Sequence, residues 1–264
     1  MRFVRLVSLH ASLLTLAAAG AATAQDRDEA NGWRVTVSPY VWATSLDGHV
    51  KLAGRRAPVD VPFSDAFKHL ESIAMGDIEV RKGRWAGFVD YQYARTNEGM
   101  SPMGLPSELG TRSTTVAGGV AYRLVDSPLG GRTVFGDPRS FRVQPIVGAR
   151  WSKLRADLHT PLGATSKGVE WTDMLVGLRV EANATDHWTL RGQVDAGGLD
   201  GNNRSSRSWQ ALATYHTPLA GGAVAVNLGY RLLEQNYQQN DFTGQRFDWS
   251  VTRHGPVVGL SLTY

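Results

Sequence analysis

Asp248, Ser250 and His254 fall within one short stretch, "FDWSVTRH". A carboxylate, a hydroxyl and an imidazole are the parts of a nucleophilic hydrolase, in which the imidazole takes the serine proton and the carboxylate orients the imidazole. That chemistry needs nucleophile and base within about 3 Å of each other, which closeness along a chain does not supply. No G-x-S-x-G sequence surrounds a plausible nucleophile, and His159 stands in a different predicted loop. The seven histidines include no i, i+4 pair, and the chain has no cysteine. Neither a histidine nor a thiolate metal site is therefore expected. With no phosphate-binding glycine motif either, the expectation is no cofactor and no catalytic site, with an enzyme acting on envelope lipid as the alternative.

A second set of charged residues is larger and more regular. Asp77, Glu79 and Arg81 alternate with apolar residues in "GDIEVRK", and Asp90 sits in "FVDYQY". Arg123 follows "VAY", while Arg142 and Arg150 share "FRVQPIVGARW" with Gln144. Asp173, Arg179 and Glu181 occupy "TDMLVGLRVEA"; Arg191 and Asp195 occupy "LRGQVDAG"; Arg231 interrupts "LGYRLLE". Charges of both signs at mid-segment either pair with one another or line a water-filled path, because an unpaired buried charge costs several kcal/mol.

The elements that would hold these residues have period two. Val224, Val226, Leu228, Tyr230 and Leu232 take one parity; Ala225, Asn227, Gly229 and Arg231 take the other. Met174, Val176, Leu178 and Val180 stand against Asp173, Gly177, Arg179 and Glu181 in the same way. Successive side chains of a strand point to opposite faces, so each segment has one apolar and one polar face. Trp33, Trp85, Tyr93, Tyr122, Trp151, Trp188, Tyr215, Tyr230 and Tyr264 recur near segment ends, as aromatic girdles would require. A soluble barrel would put the apolar face inside. Full charges beside glycines on the other face favour the reverse arrangement, apolar outward and polar inward.

The first residues, "MRFVRLVSLHASLLTLAAAGAATAQD", carry Arg2 and Arg5, an apolar run and an Ala22-Thr23-Ala24 site. These are the parts of a secretory signal peptide cut near Ala24, leaving residues 25–264 as one barrel domain. Without Arg2 and Arg5 the formal +4 falls to a nearly neutral balance, which gives no reason to expect a nucleic-acid partner. The expected location is the outer membrane of a Gram-negative cell. Three stretches, "SPYVWATSLDGHV", "DVPFSDAFKHLESIAMGDIEVRKGRWAGFVDYQYA" and the final "GPVVGL", resemble small proteobacterial outer-membrane β-barrel proteins, a largely uncharacterised family. The resemblance implies a monomer surrounded by outer-membrane lipid and lipopolysaccharide. It also implies that the terminal aromatic, here Tyr264 where phenylalanine is usual, is read by the barrel-assembly machinery.

Outer-membrane barrels have an even strand number, short turns on one side and longer loops on the other. Strands at 33–44, 73–82, 84–96, 111–126, 139–157, 168–183, 186–198, 205–217, 222–236 and 248–264 satisfy this rule, with twelve or eight strands as alternatives. The connection 127–138 is the exception, being long yet on the short-turn side. Residues 45–72 read as an outer hairpin followed by a short helix near 64–71, capped by Ser64, that packs on the barrel or plugs it. Two further wall strands are the other option. The function expected is structural or that of a narrow channel for small solutes or ions.

Overall fold

A computed structural model describes residues 32–52, 55–100, 107–161, 163–198, 203–219, 222–240 and 246–264. The expected signal segment 1–24 lies outside the described residues. Residues 33–264 form one compact unit. Its elements are β1 (Arg34–Trp42), β2 (Ser45–Leu52), β3 (Arg55–Val61), α1 (Phe63–Lys68), β4 (Leu70–Lys82), β5 (Trp85–Met100), β6 (Ser107–Tyr122) and β7 (Val125–Arg132). These are followed by β8 (Pro138–Thr160), β9 (Gly163–Asn183), β10 (Trp188–Gly197), β11 (Arg204–Leu219), β12 (Gly222–Asn240) and β13 (Arg246–Thr263).

Ten of the strands close into an antiparallel barrel in the order β1-β4-β5-β6-β8-β9-β10-β11-β12-β13, with β13 returning to β1. The seam is in register from Thr36 opposite Thr263 to Trp42 opposite Val257. Val35 and Tyr264 exchange two backbone hydrogen bonds of 3.0 and 2.9 Å. Every wall strand thus has two neighbours, and the barrel has no open edge along that seam. The short turns at Gly83 and at 184–187 lie at the same end as Trp33 and Tyr264, here called the near end, and so does the longer β6–β8 connection that contains β7.

The alternation seen along the chain resolves into two faces. Met174, Val194, Val258, Leu228 and Leu190 stand 47–65% exposed on the outside, whereas Asp173, Asp195, Val257, Asn227 and Thr189 on the opposite parity are buried. At the near end, Trp85 packs on Tyr122 and Trp188 on Tyr215, with ring centroids 4.7 and 5.1 Å apart. Lys82 sits 4.7 Å over the ring of exposed Trp33. Towards the far end, Trp209 stacks on Tyr230 at 5.7 Å. Close approach of neighbouring strands demands glycine at several places in the wall, Gly177 and Gly229 among them. Gly119 faces Gly148, and a Cβ on either would lie 2.4 or 2.2 Å from a neighbouring carbonyl oxygen.

The reading of residues 45–72 as an outer hairpin holds over its strands, and two other local expectations need correction. The segment 45–72 adds no strand to the wall: β2 takes over from β1 as the neighbour of β13 at Asp248–His254, and β3 pairs with β2 as a protruding hairpin. Pro58 in that outermost strand removes one backbone donor, as is common on an edge. The helix begins earlier than expected and ends at Lys68. Pro62 is its N-cap, and its carbonyl accepts from the Asp65 and Ala66 amides at 3.0 Å, so Ser64 lies inside the first turn rather than capping it. No helix residue is buried, and Phe67 is 62% exposed, so α1 neither packs on the barrel nor plugs it. Lastly, residues 125–132, expected to be strand end and turn, form the separate strand β7, which folds back on the base of β8.

Candidate functional site

Inward-facing side chains meet in layers. Nearest the near end, Glu181 of β9 is wrapped by three guanidinium groups: Arg142 at 2.9 Å, Arg191 at 3.0 Å and Arg81 at 3.2 Å. Arg81 also pairs with Glu79, and Glu79 in turn with Arg179. Arg179 donates to Gln193 at 3.0 Å and lies over the Phe88 ring. Since β4 and β9 are separated by three wall strands the shorter way round, these pairs run across the lumen. Asp77 faces inward one position beyond Glu79 on β4. Arg123 sits at the mouth, bonded to Asp126 at 3.1 Å, just past the end of β6 rather than within the wall.

A second layer crosses between β12 and β5, again three strands apart. Arg231 pairs with Asp90 at 3.0 Å and donates to Tyr40 Oη at 2.8 Å, while Tyr40 donates to Asp90 at 2.8 Å. Gln210 and Gln92 complete the shell, one accepting from Arg231 and the other donating to Asp90, each at 2.6 Å. Towards the far end Arg150 pairs with Asp195 at 2.6 Å and donates to Ser206 at 2.9 Å. Fully buried Asp173 lies 3.7 Å from Arg204. Arg253 of β13 reaches Thr115 of β6 at 3.1 Å and Gln235 at 3.3 Å, with its guanidinium over Trp42. Between the charged layers sit two apolar clusters, one of Phe88, Ile146 and Leu175 with small alanines, the other of Trp42, Leu233 and Val257. Ions crossing a narrow interior must be matched and hydrogen-bonded to be tolerable, and here most are.

The hydrolase parts are not assembled. Ser250 donates to Asn236 at 2.7 Å, Asp248 lies 3.9 Å from His49, and His254 is held between Tyr230 at 2.7 Å and Asp47 at 2.6 Å. His159 stands opposite Ala164 near the tip of the β8–β9 hairpin. In that same hairpin Asp157 has its pKa lowered to about 2 by the Ser166 hydroxyl, and by Arg155 and Arg112 at 3.1 and 2.8 Å.

Several inward residues were not singled out from sequence. Tyr40 falls on the inner parity of β1, and Arg253 on that of β13, counting back from Val257 through Gly255. The signal for Arg253 was present, because the parity is unbroken across the glycine. Gln92, Gln210 and Gln235 carry no charge and are invisible to a search for ionised groups.

The near-end mouth is crossed by the turn that follows β7. Val134 donates to the Asp186 carbonyl at 3.1 Å in the β9–β10 turn. The Phe135 ring meets inward-facing His216 of β11 edge-on at 5.8 Å, and Asp137 pairs with Arg34 of β1 at 3.5 Å. Residues 133–137 are thereby strapped from β8 to the opposite side of the opening.

No protein-family model matches this chain, and no curated protein does. The resemblance to small proteobacterial outer-membrane barrels rests on the quoted residues alone. Among solved structures, the chain is similar to Ail, the attachment invasion locus protein of Yersinia pestis, in complex with the heparin analogue sucrose octasulfate. That likeness has a TM-score of 0.36 and 10% identity over 89% of this chain and 99% of that one. It is also similar to a Pseudomonas aeruginosa FadL homologue, with a TM-score of 0.30 and 10% identity over 88% and 89% of the two chains. The P. putida toluene transporter TodX follows, with a TM-score of 0.26 and 8% identity over 90% and 91%.

Proposed function

We propose that this protein is an outer-membrane β-barrel, with its near end in the periplasm, whose lumen is closed at rest by ion pairs. Its role is then structural within the envelope rather than that of an open pore. One observation carries the reading: apolar side chains cover the outside of the barrel while charged residues of opposite walls are bonded across the inside. Water would solvate the reverse arrangement, whereas hydrocarbon requires this one. The expected signal peptide supports delivery to the envelope. Exposed Tyr264, paired to Val35 at the seam, fits a belt residue and an assembly signal. Lipid and lipopolysaccharide are the partners such a surface needs, and a monomer suffices for it.

A narrow solute path is the second reading. It is favoured by the partly exposed side chains of Arg81, Arg142 and Arg191 inside the near-end mouth. Cell fractionation tests the location common to both. Mature protein should appear in the outer-membrane fraction and migrate faster unheated than boiled, because a closed barrel resists detergent unfolding. Recovery from the soluble periplasm without a heat-dependent shift would refute the reading.

A further inference from the structure

The near-end layer is unevenly charged. Arg81, Arg142, Arg179 and Arg191 share the carboxylates of Glu79 and Glu181, and counting inward-facing Asp77 as well still leaves four guanidinium groups to three carboxylates. Adding Arg123 and Asp126, which also lies 3.7 Å from Arg142, still leaves five guanidinium groups to four carboxylates. A surplus cation in a low-dielectric interior calls for a counter-ion or for water.

Exposure within the cluster is graded. The side chains of Glu79 and Arg179 are 4% exposed, those of Arg81 and Arg142 16%, and that of Arg191 27%. The more exposed members of the cluster are thus arginines, while the carboxylates of Glu79 and Glu181 are buried. Arg142 Nε is buried without a hydrogen-bond partner, 3.7 Å from the nearest oxygen of Asp126. A planar fork of N–H donors matches an oxyanion, whose oxygens can each accept more than one bond.

The space is also bounded. Phe135, with Val134 and Asp137 on either side, lies across the opening, so what enters the chamber must be small. A lipid headgroup with its acyl chains attached has no route beneath such a strap.

We propose that this chamber binds a small free oxyanion of the phosphate or sulfate class between Arg142, Arg191 and Arg81, with the Phe135 strap as its floor. The proposal rests on the barrel reading for the direction of access, but not on membrane location or on conductance.

Calorimetric titration of the detergent-refolded full chain with sodium phosphate and sodium sulfate, at ionic strength fixed with sodium chloride, tests it. Saturable binding is expected, weakened about tenfold or more by Arg191→Gln or Arg142→Gln, each of which removes a charged donor. Arg253→Gln, which removes a lumen cation far from the mouth, should leave the affinity unchanged. Heat-dependent gel migration checks that each variant has closed its barrel. Should one fail to refold, the unmodified protein still decides, since the proposal requires phosphate to bind where chloride does not. Absence of saturable binding, or equal binding by the mouth variants, would overturn the chamber while leaving a heat-shifted barrel, and with it the barrel reading, intact.

Discussion

In a planar lipid bilayer the refolded protein should pass no stable current, and removing two cross-lumen pairs together should turn it into a channel. The variant carries Glu79→Ala, Arg179→Ala, Asp90→Ala and Arg231→Ala, which deletes a cation and an anion at each of two heights. Because the deletions are matched, no new unpaired charge is left at either level. Arg231 and Asp90 close the lumen between β12 and β5, and Arg179 and Glu79 close it between β9 and β4. A ten-stranded barrel is wider than the eight-stranded type that side chains just fill, so clearing these ties should leave a water path. Asp90→Ala alone should behave differently. It leaves Arg231 buried without its carboxylate and should cost about 3–5 kcal/mol, lowering assembly rather than opening a pore. Steady conductance from the unmodified protein would favour the narrow-channel reading over the closed one.

The outward face makes a prediction of similar size. Leu228 is 47% exposed on the outside of β12, opposite Ala213. Leu228→Arg places a cation against hydrocarbon and should destabilise the protein by about 2–4 kcal/mol in urea unfolding from lipid vesicles. Gln193→Glu changes charge on the inner face instead. Its side chain already accepts from Arg179 at 3.0 Å, so a carboxylate there strengthens an existing bond and should be neutral or stabilising. The opposite ranking would mean that the barrel faces are reversed.

The wall was legible because its physics is local and repetitive. Asp173 to Glu181 alternates without a break, and lipid outside with ion pairs inside leaves no freedom to slip by one residue. What could not be read is what depends on distant partners. β7 holds Pro128, Gly130 and Gly131, all turn formers, and becomes a strand only because the base of β8 offers Val143 and Arg142 as neighbours. The strands within 45–61 were readable as an outer hairpin. The partner was not readable: β2 lies along Asp248–His254 of β13, past the stretch at Val257–Thr263 that pairs with β1. In α1 the expected Ser64 cap yields to Pro62, whose extended φ of −60° and ψ of 150° already directs its carbonyl at the first turn. Within the site, the charged members were readable one by one from parity. Their pairing was not, because Arg179 and Glu79 are one hundred residues apart along the chain.

The central claim is a closed barrel, and its seam can be tested with two substitutions in a chain that has no cysteine of its own. Thr36 and Thr263 face each other at the junction of β1 and β13, with hydroxyl oxygens 3.0 Å apart. They flank the hydrogen-bonded Val35–Tyr264 pair, so they form a non-hydrogen-bonded pair, whose Cα atoms are close enough for a disulfide. In the outer-membrane fraction of cells producing Thr36→Cys with Thr263→Cys, the account predicts a spontaneous intrachain disulfide. It would appear as altered migration of the boiled protein without reductant and be reversed by reductant. Two free thiols that react fully with an alkylating reagent in correctly fractionated protein would contradict it.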